Sequence, residues 1–263
     1  MISTSNISLR FGKKALFEDV NIKFAKGNCY GIIGANGAGK STTIKMLTGL
    51  LTPTSGSVLV NGIVPNEKRI ENNKNIGAVF GQKTQLWWDL PVIESFRLIK
   101  KIYKIPEGEY RQNLKKFSEI LELEPLLQKQ VKNLSLGQKM RCEIAATFLH
   151  DPKIVYLDEP TIGLDVLVKE KIRTFIKEIN KEKNTTVILT THDLKDIEDV
   201  CDRIILLDKG QIIYDGEKEK FKETYGKQVI AQIIVKNKTS LITTETINDE
   251  FEVIEESDEQ VKI

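Results

Sequence analysis

Residues Gly34-Ala-Asn-Gly-Ala-Gly39-Lys40-Ser41 follow the spacing G-x-x-x-x-G-K-[ST] of a loop that cradles phosphate. Glycines at 34, 37 and 39 let the backbone turn so that successive N–H groups point at one small volume. That concavity, with a helix N-terminus directly behind it, favours a polyphosphate anion. Lys40 can bridge the terminal phosphates, and the Ser41 hydroxyl can ligate magnesium. Asn36 within the loop and Thr42 just after it are counted with these as nucleotide-contacting residues. Further along, Val155-Tyr-Leu-Asp158-Glu159-Pro160 sets two acids at the end of an apolar run. Adjacent acids at a strand end are ordinarily a solvated turn. Beside a phosphate loop they take on other roles: Asp158 holds magnesium through water, and Glu159 polarises an attacking water. Thr190-Thr191-His192 closes another apolar run with one of the chain's 2 histidines; the other, His150, stands before Asp151-Pro152 and reads as structural.

These residues need a scaffold that brings distant strand ends together. Cys29-Tyr-Gly-Ile-Ile33, Ile154-Val-Tyr-Leu157 and Val187-Ile-Leu189 are continuous apolar runs, the pattern of strands covered on both faces. Ile44, Leu47 and Leu51 recur at helical spacing, which predicts a helix that opens at Lys40-Ser41 and stops before Pro53. Arg203 to Leu207 and Gln211 to Tyr214 flank Asp208-Lys209-Gly210 as a hairpin. The alternation of strands and helices predicts an α/β fold with a mainly parallel central sheet. Between about 90 and 150 strand candidates disappear; residues 94–104 and 110–127 are rich in Leu, Ile, Lys and Glu and predict an inserted helical subdomain. Composition shifts again after 216. A Lys/Glu-rich helical piece near 217–225 precedes β-like runs such as 228–235, and residues 248–259 are acidic. The division expected is therefore 1–216 as the main domain and 217–263 as a small α/β or β appendage.

Bulk properties set limits. The 263 residues are 40% hydrophobic, enough for a sizeable core. With 39 basic and 37 acidic residues the formal charge is +2, which gives no reason to expect a nucleic-acid partner. The 3 cysteines, Cys29, Cys142 and Cys201, lie in apolar surroundings and read as buried free thiols. Neither a membrane span nor the pattern of a signal peptide is found. The expected location is therefore cytoplasmic, with any membrane association made through a partner.

Leu134-Ser135-Leu136-Gly137-Gln138 separates this chain from most phosphate-loop ATPases. Met140, Ile144 and Phe148 follow at helical spacing, so Ser135 stands where a helix begins, and a helix start with a serine hydroxyl can receive an anion. With the phosphate loop and the Asp158-Glu159 pair, this segment resembles the ATP-binding subunit of bacterial ABC transporters, over about residues 2–216. The resemblance implies ATP and Mg²⁺ as cofactors, an antiparallel β subdomain beside the parallel sheet, and two copies closing head-to-tail over two nucleotides. The partner copy is the same chain or a related ATPase subunit. It implies that Ser135, Gly137 and Gln138 contact the nucleotide held by the opposite copy, that His192 senses the γ-phosphate, and that Asp165, in Gly163-Leu-Asp165, crosses the dimer interface. Phe11 falls where the family stacks an aromatic on adenine. Gln82 matches the residue linking magnesium and the attacking water to the membrane partner. Position 136 is Leu where the family usually has Gly.

Gln85-Leu-Trp-Trp-Asp-Leu-Pro91 holds both tryptophans and is similar to one branch of bacterial exporter ATPases that work with separate permeases. The resemblance places permease contacts near Trp87 and Trp88; alternatively one indole packs inward and the other shields a loop. A soluble ABC-type ATPase of cofactor assembly or repair is the other functional class. A regulatory binding module with little turnover is a third, disfavoured by the presence of Glu159. The appendage is open to three readings: a regulatory β-subdomain, a dimer contact or a partner clamp.

Overall fold

Six strands in the order β10-β9-β4-β8-β7-β6 form the sheet on which the motifs sit. The computed structural model describes residues 1–11, 14–81 and 83–225, with the backbone of three short strands beyond them. Gln82, the side chain of Phe11 and most of 228–235 and 248–259 lie outside the described residues. The chain divides into two compact units, Met1–Lys218 and Glu219–Ile263.

The first unit opens with β1 (Ile2–Phe11), β2 (Lys14–Val20), β3 (Lys23–Phe24) and β4 (Cys29–Ile33), then α1 (Lys40–Leu47), β5 (Ser55–Val60), α2 (Arg69–Asn73) and β6 (Ile76–Phe80). Helices α3 (Val92–Tyr103), α4 (Glu107–Leu121) and α5 (Leu136–Phe148) follow without an intervening strand. Alternation resumes with β7 (Ile154–Asp158), α6 (Val166–Lys183), β8 (Thr186–Thr190), α7 (Leu194–Val200), β9 (Arg203–Asp208) and β10 (Gln211–Glu217). Helix α8 (Lys218–Tyr225) is the Lys/Glu-rich piece. In the second unit β11 (Gln232–Ile234) and β12 (Glu255–Glu256) both pair antiparallel with β13 (Gln260–Lys262).

Strands β4, β6, β7, β8 and β9 are mutually parallel, with β10 antiparallel at the edge. A separate antiparallel sheet runs β2-β1-β3, with β5 also paired to β1. The predicted hairpin forms between β9 and β10, where Lys209 (φ 44°) and Gly210 (φ 79°) both take the left-handed conformation of a two-residue turn. The three apolar runs are β4, β7 and β8, and β7 and β8 are buried along their whole length. Ile44, Met46 and Leu47 of α1 share one core with Tyr30, Ile32, Tyr156 and Ile188 of the sheet and with Ile7 and Phe17 of the antiparallel sheet. Phe117, Phe148 and Phe175 join α4, α5 and α6 by edge-to-face contacts, with centroids 5.0 and 5.2 Å apart.

Two helix limits differ from those expected. Helix α1 opens at Lys40 and stops before Pro53, but it closes at Leu47 and leaves out Leu51, because Gly49 turns the chain at φ 76°. Helix α4 ends at Leu121 rather than 127. Glu122 adopts φ 50°, and the apolar spacing beyond it belongs to a 3-10 turn at Glu124–Leu126 that contains Pro125. All 3 cysteines are buried and free. Burial pushes the thiols of Cys29 and Cys142 up to about 12, so neither is a reactive thiolate. His150 is structural: it stacks on Tyr103 at 3.8 Å, its Nε2 hydrogen-bonds the Ile76 carbonyl, and burial lowers its pKa to about 4.

Candidate active site

Parallel pairing sets the C-terminal ends of β4, β8 and β7 side by side, Ile32 opposite Thr190 and Thr190 opposite Asp158. The phosphate loop leaves the first end, Thr191-His192 the second and Glu159 the third. Ligands of open α/β sheets bind at such carboxyl ends.

The loop at 34–39 has no room for side chains at its hinges. A Cβ on Gly34 would fall 2.1 Å from the Leu207 carbonyl oxygen, and one on Gly39 would fall 2.3 Å from the Phe17 ring. Both glycines take positive φ, 145° and 111°. Gly37 faces open space, Asn36 is exposed and Thr42 is half-buried. Lys40 is buried, and its ammonium donates to the carbonyls of Gly34 (2.8 Å) and Ala35 (3.1 Å). Burial lowers its pKa while the nearby carboxylates of Glu159 and Asp158 oppose that shift.

Ser41 Oγ donates to Asp158 Oδ1 at 2.8 Å, and Thr190 Oγ1 donates to the same oxygen at 2.7 Å. A hydroxyl oxygen beside a carboxylate oxygen is a donor set for a hard cation. No group of three or more His, Cys, Asp or Glu able to hold a metal occurs among the described residues. This sparse, all-oxygen pair fits magnesium, which keeps several waters and takes its other ligands from phosphates.

Glu159 is held in the left-handed region at φ 51°, uncommon for a residue with a side chain. Its N–H is tied to Thr190, with the carbonyl oxygen at 3.1 Å and Oγ1 at 3.0 Å. Its Oε1 lies 3.0 Å from His192 Nε2. Lys40, Ser41, Asp158, Glu159 and His192, scattered over the chain, thus meet at one end of the sheet. Thr190 belongs with them. The sequence reading missed its role because a threonine closing a strand looks like ordinary β-propensity.

The signature segment opens α5 at Ser135, where the spacing places a helix start. Ser135 caps α5 as half of a capping box: Gln138 N–H donates to Ser135 Oγ (3.3 Å), and Ser135 N–H donates to Gln138 Oε1 (3.1 Å). The Gln138 carboxamide oxygen thus serves its own helix start. No hydrogen bond joins Ser135, Gly137 or Gln138 to the phosphate loop among the described residues. Their neighbours are elsewhere: a Cβ on Gly163 would meet Leu136 Cδ2 at 3.4 Å, and one on Gly137 would meet Val168 at 3.3 Å. Asp165 caps α6, its Oδ1 accepting from Val168 N–H at 2.9 Å. Asp165→Ala is expected to cost about 1 kcal/mol of stability, read as a shift of the urea midpoint at constant slope; an unchanged midpoint removes the cap from the account. Trp87 and Trp88 are both exposed, so neither packs inward.

Residues 17–162 match the family described as ABC transporter. The chain belongs to this family. It is 33% identical over 235 residues to the linearmycin resistance ATP-binding protein LnrL of Bacillus subtilis (strain 168), covering 89% of this chain and 75% of that one. Among solved structures it is similar to a dimeric post-hydrolysis state of the ATP-binding cassette MJ0796 bound to ADP and Pi. The TM-score is 0.73 at 29% identity, over 82% of this chain and 98% of the other. It is also similar to cbiO1 from Clostridium perfringens, part of the ABC transporter complex cbiONQ (TM-score 0.75, 30% identity, 86% and 92% covered). This ABC chain is an ATP-binding and ATP-hydrolysing transporter subunit, and its α/β core with an antiparallel sheet is that of the ABC cassettes. No helix among the described residues is long and apolar enough to cross a membrane.

Proposed function

We propose that this chain drives a bacterial exporter, hydrolysing ATP with magnesium as one half of a head-to-tail dimer bound to separate permease subunits at the inner face of the cell membrane. The observation that carries the catalytic part is the 3.0 Å contact of Glu159 with His192, at the sheet end that also holds Lys40, Ser41 and Asp158. Ser41 and Asp158 hold the magnesium, which neutralises charge on the phosphates when bound. Glu159 takes a proton from a water whose oxygen bonds to the γ-phosphorus. The bond from that phosphorus to the bridging oxygen breaks, and ADP leaves with the electron pair. His192 fixes the Glu159 carboxylate and contacts the γ-phosphate; Gln82 ties the attacking water and the metal to the permease side. Phe11 stacks on adenine.

Ser135, Gly137, Gln138 and Asp165 act in the dimer, on the nucleotide of the second copy. Exposed Ile162, Val166, Leu167 and Leu194 near Asp165 and His192 provide apolar surface for that contact. The paired exposed indoles of Trp87 and Trp88 are the permease contact. Export rests on the Gln85–Pro91 resemblance and on a relative named for resistance. The ATPase domain comprises residues 1–216 and the appendage 217–263. Affinity purification of the tagged chain from detergent-solubilised membranes tests the assembly. A multispan membrane protein in near-equal amount is expected; recovery with no such chain supports the soluble ABC ATPase instead.

A further inference from the structure

One buried carboxylate touches both loops that carry the catalytic pair. Asp196 of α7 is 1% exposed, and its Oδ2 accepts hydrogen bonds from Thr161 Oγ1 at 2.5 Å and from Thr191 Oγ1 at 2.7 Å. Thr161 stands two residues after Glu159, and Thr191 directly before His192. Arg173 of α6, also buried, faces the other oxygen, with Nη1 3.4 Å from Oδ1. The Thr191 hydroxyl in turn accepts from Asp193 N–H at 3.0 Å.

We infer that Asp196 is a positioning residue for hydrolysis, a common anchor that fixes the Glu159 and His192 loops relative to each other through Thr161 and Thr191. A buried carboxylate is an expensive way to fill space, since it needs both hydrogen bonds and a counter-charge to be tolerated. What it supplies in return is direction, because hydrogen bonds to a charged acceptor are short, strong and angularly demanding. Both bonds end on the same oxygen, so a displacement of either loop is felt by the other. The geometry at stake is the 3.0 Å separation of Glu159 Oε1 and His192 Nε2. Glu159 needs this support: a left-handed glutamate persists only where its surroundings over-determine it. Thr190 holds its N–H on one side, and Thr161, tied to Asp196, holds the chain on the other. Asp196 itself touches neither catalytic side chain by any of these bonds, so its effect passes through the two threonines.

The inference rests on Glu159 and His192 acting as proposed, and the test separates the two. Single-turnover ATP hydrolysis and nucleotide affinity are measured on the full chain for Thr161→Val, Thr191→Val and Asp196→Asn, beside Thr161→Ser, Thr191→Ser and Glu159→Gln. Valine keeps the shape and removes the hydroxyl; serine restores the hydroxyl alone. Each valine variant is expected to lower the hydrolysis rate on the order of tenfold to a hundredfold, with nucleotide affinity unchanged and with serine recovering most of the rate. Asp196→Asn covers the case in which a valine variant fails to fold. Valine variants that hydrolyse at the parent rate while Glu159→Gln is slow overturn the anchor. Serine variants as slow as valine also overturn it, since methyl packing would then be the cause. A Glu159→Gln variant at the parent rate overturns the catalytic reading, and the anchor with it.

Discussion

Glu159→Gln is expected to slow ATP hydrolysis by roughly 10²–10⁴, the usual contribution of a positioned general base, while ATP binding is retained. The substitution preserves shape and removes only the ability to take a proton. The backbone conformation at 159 is set by two hydrogen bonds from its N–H to Thr190, and neither involves the side chain. The side-chain contact that changes is the one to His192, where a carboxamide oxygen can still accept at a similar distance. Binding should hold or tighten, because an acid near a polyphosphate repels it and glutamine does not. The Lys40 ammonium, which lies within the field of both Glu159 and Asp158, then has one fewer carboxylate to satisfy. Single-turnover phosphate release beside a fluorescent-nucleotide titration reads both quantities. Turnover at the parent rate would place the base elsewhere.

Much of this site was legible because buried parallel strands read as unbroken apolar runs, and the chemistry lies immediately past their ends. Ile33 leads into Gly34, Leu157 into Asp158 and Leu189 into Thr190, so each motif came with its strand attached. The sheet order was not legible, since nothing local reveals that β4 pairs with β8 and β9. The antiparallel sheet is expected from the family resemblance alone, because no local pattern announces it. Strand β1 reads Ile-Ser-Thr-Ser-Asn-Ile-Ser-Leu-Arg-Phe, where serines stand in strand positions and blur the alternation. In α4, helical spacing runs on past Leu121, and Pro125 is the residue that argues against a continuous helix there. Ser-x-x-Gln in the signature also spells a capping box, which forms at the start of α5. Asp196 gave no signal at all. In Leu-Lys-Asp-Ile-Glu-Asp-Val it is one of three acids on a short helix, and only tertiary packing shows which of them is buried.

Lys40→Ala is expected to remove tight nucleotide binding. Lys40 is 5% exposed, and its ammonium spends two of its three donors on the carbonyls of Gly34 and Ala35, turned inward over the loop. Those carbonyl oxygens carry partial negative charge into the place where an anion must settle; the ammonium neutralises them and keeps a donor for a phosphate oxygen. Alanine removes the cation and leaves both carbonyls without their donor. Two losses then act in one direction: a charge-assisted contact to phosphate disappears, and the loop itself becomes less electropositive. Truncating one partner of a buried charged pair costs about 2–5 kcal/mol, roughly 30-fold to several thousandfold in Kd. Lys40→Met separates charge from packing, since it keeps most of the buried stem and removes the cation. It should bind almost as poorly as alanine while melting close to the parent. If both variants bind ATP with undiminished affinity, the phosphates do not sit in this loop. If methionine binds and alanine does not, the stem rather than the charge organises it. The carboxylates of Asp158 and Glu159 make the first outcome hard to reconcile with the geometry, because without Lys40 nothing else among the loop side chains offsets them.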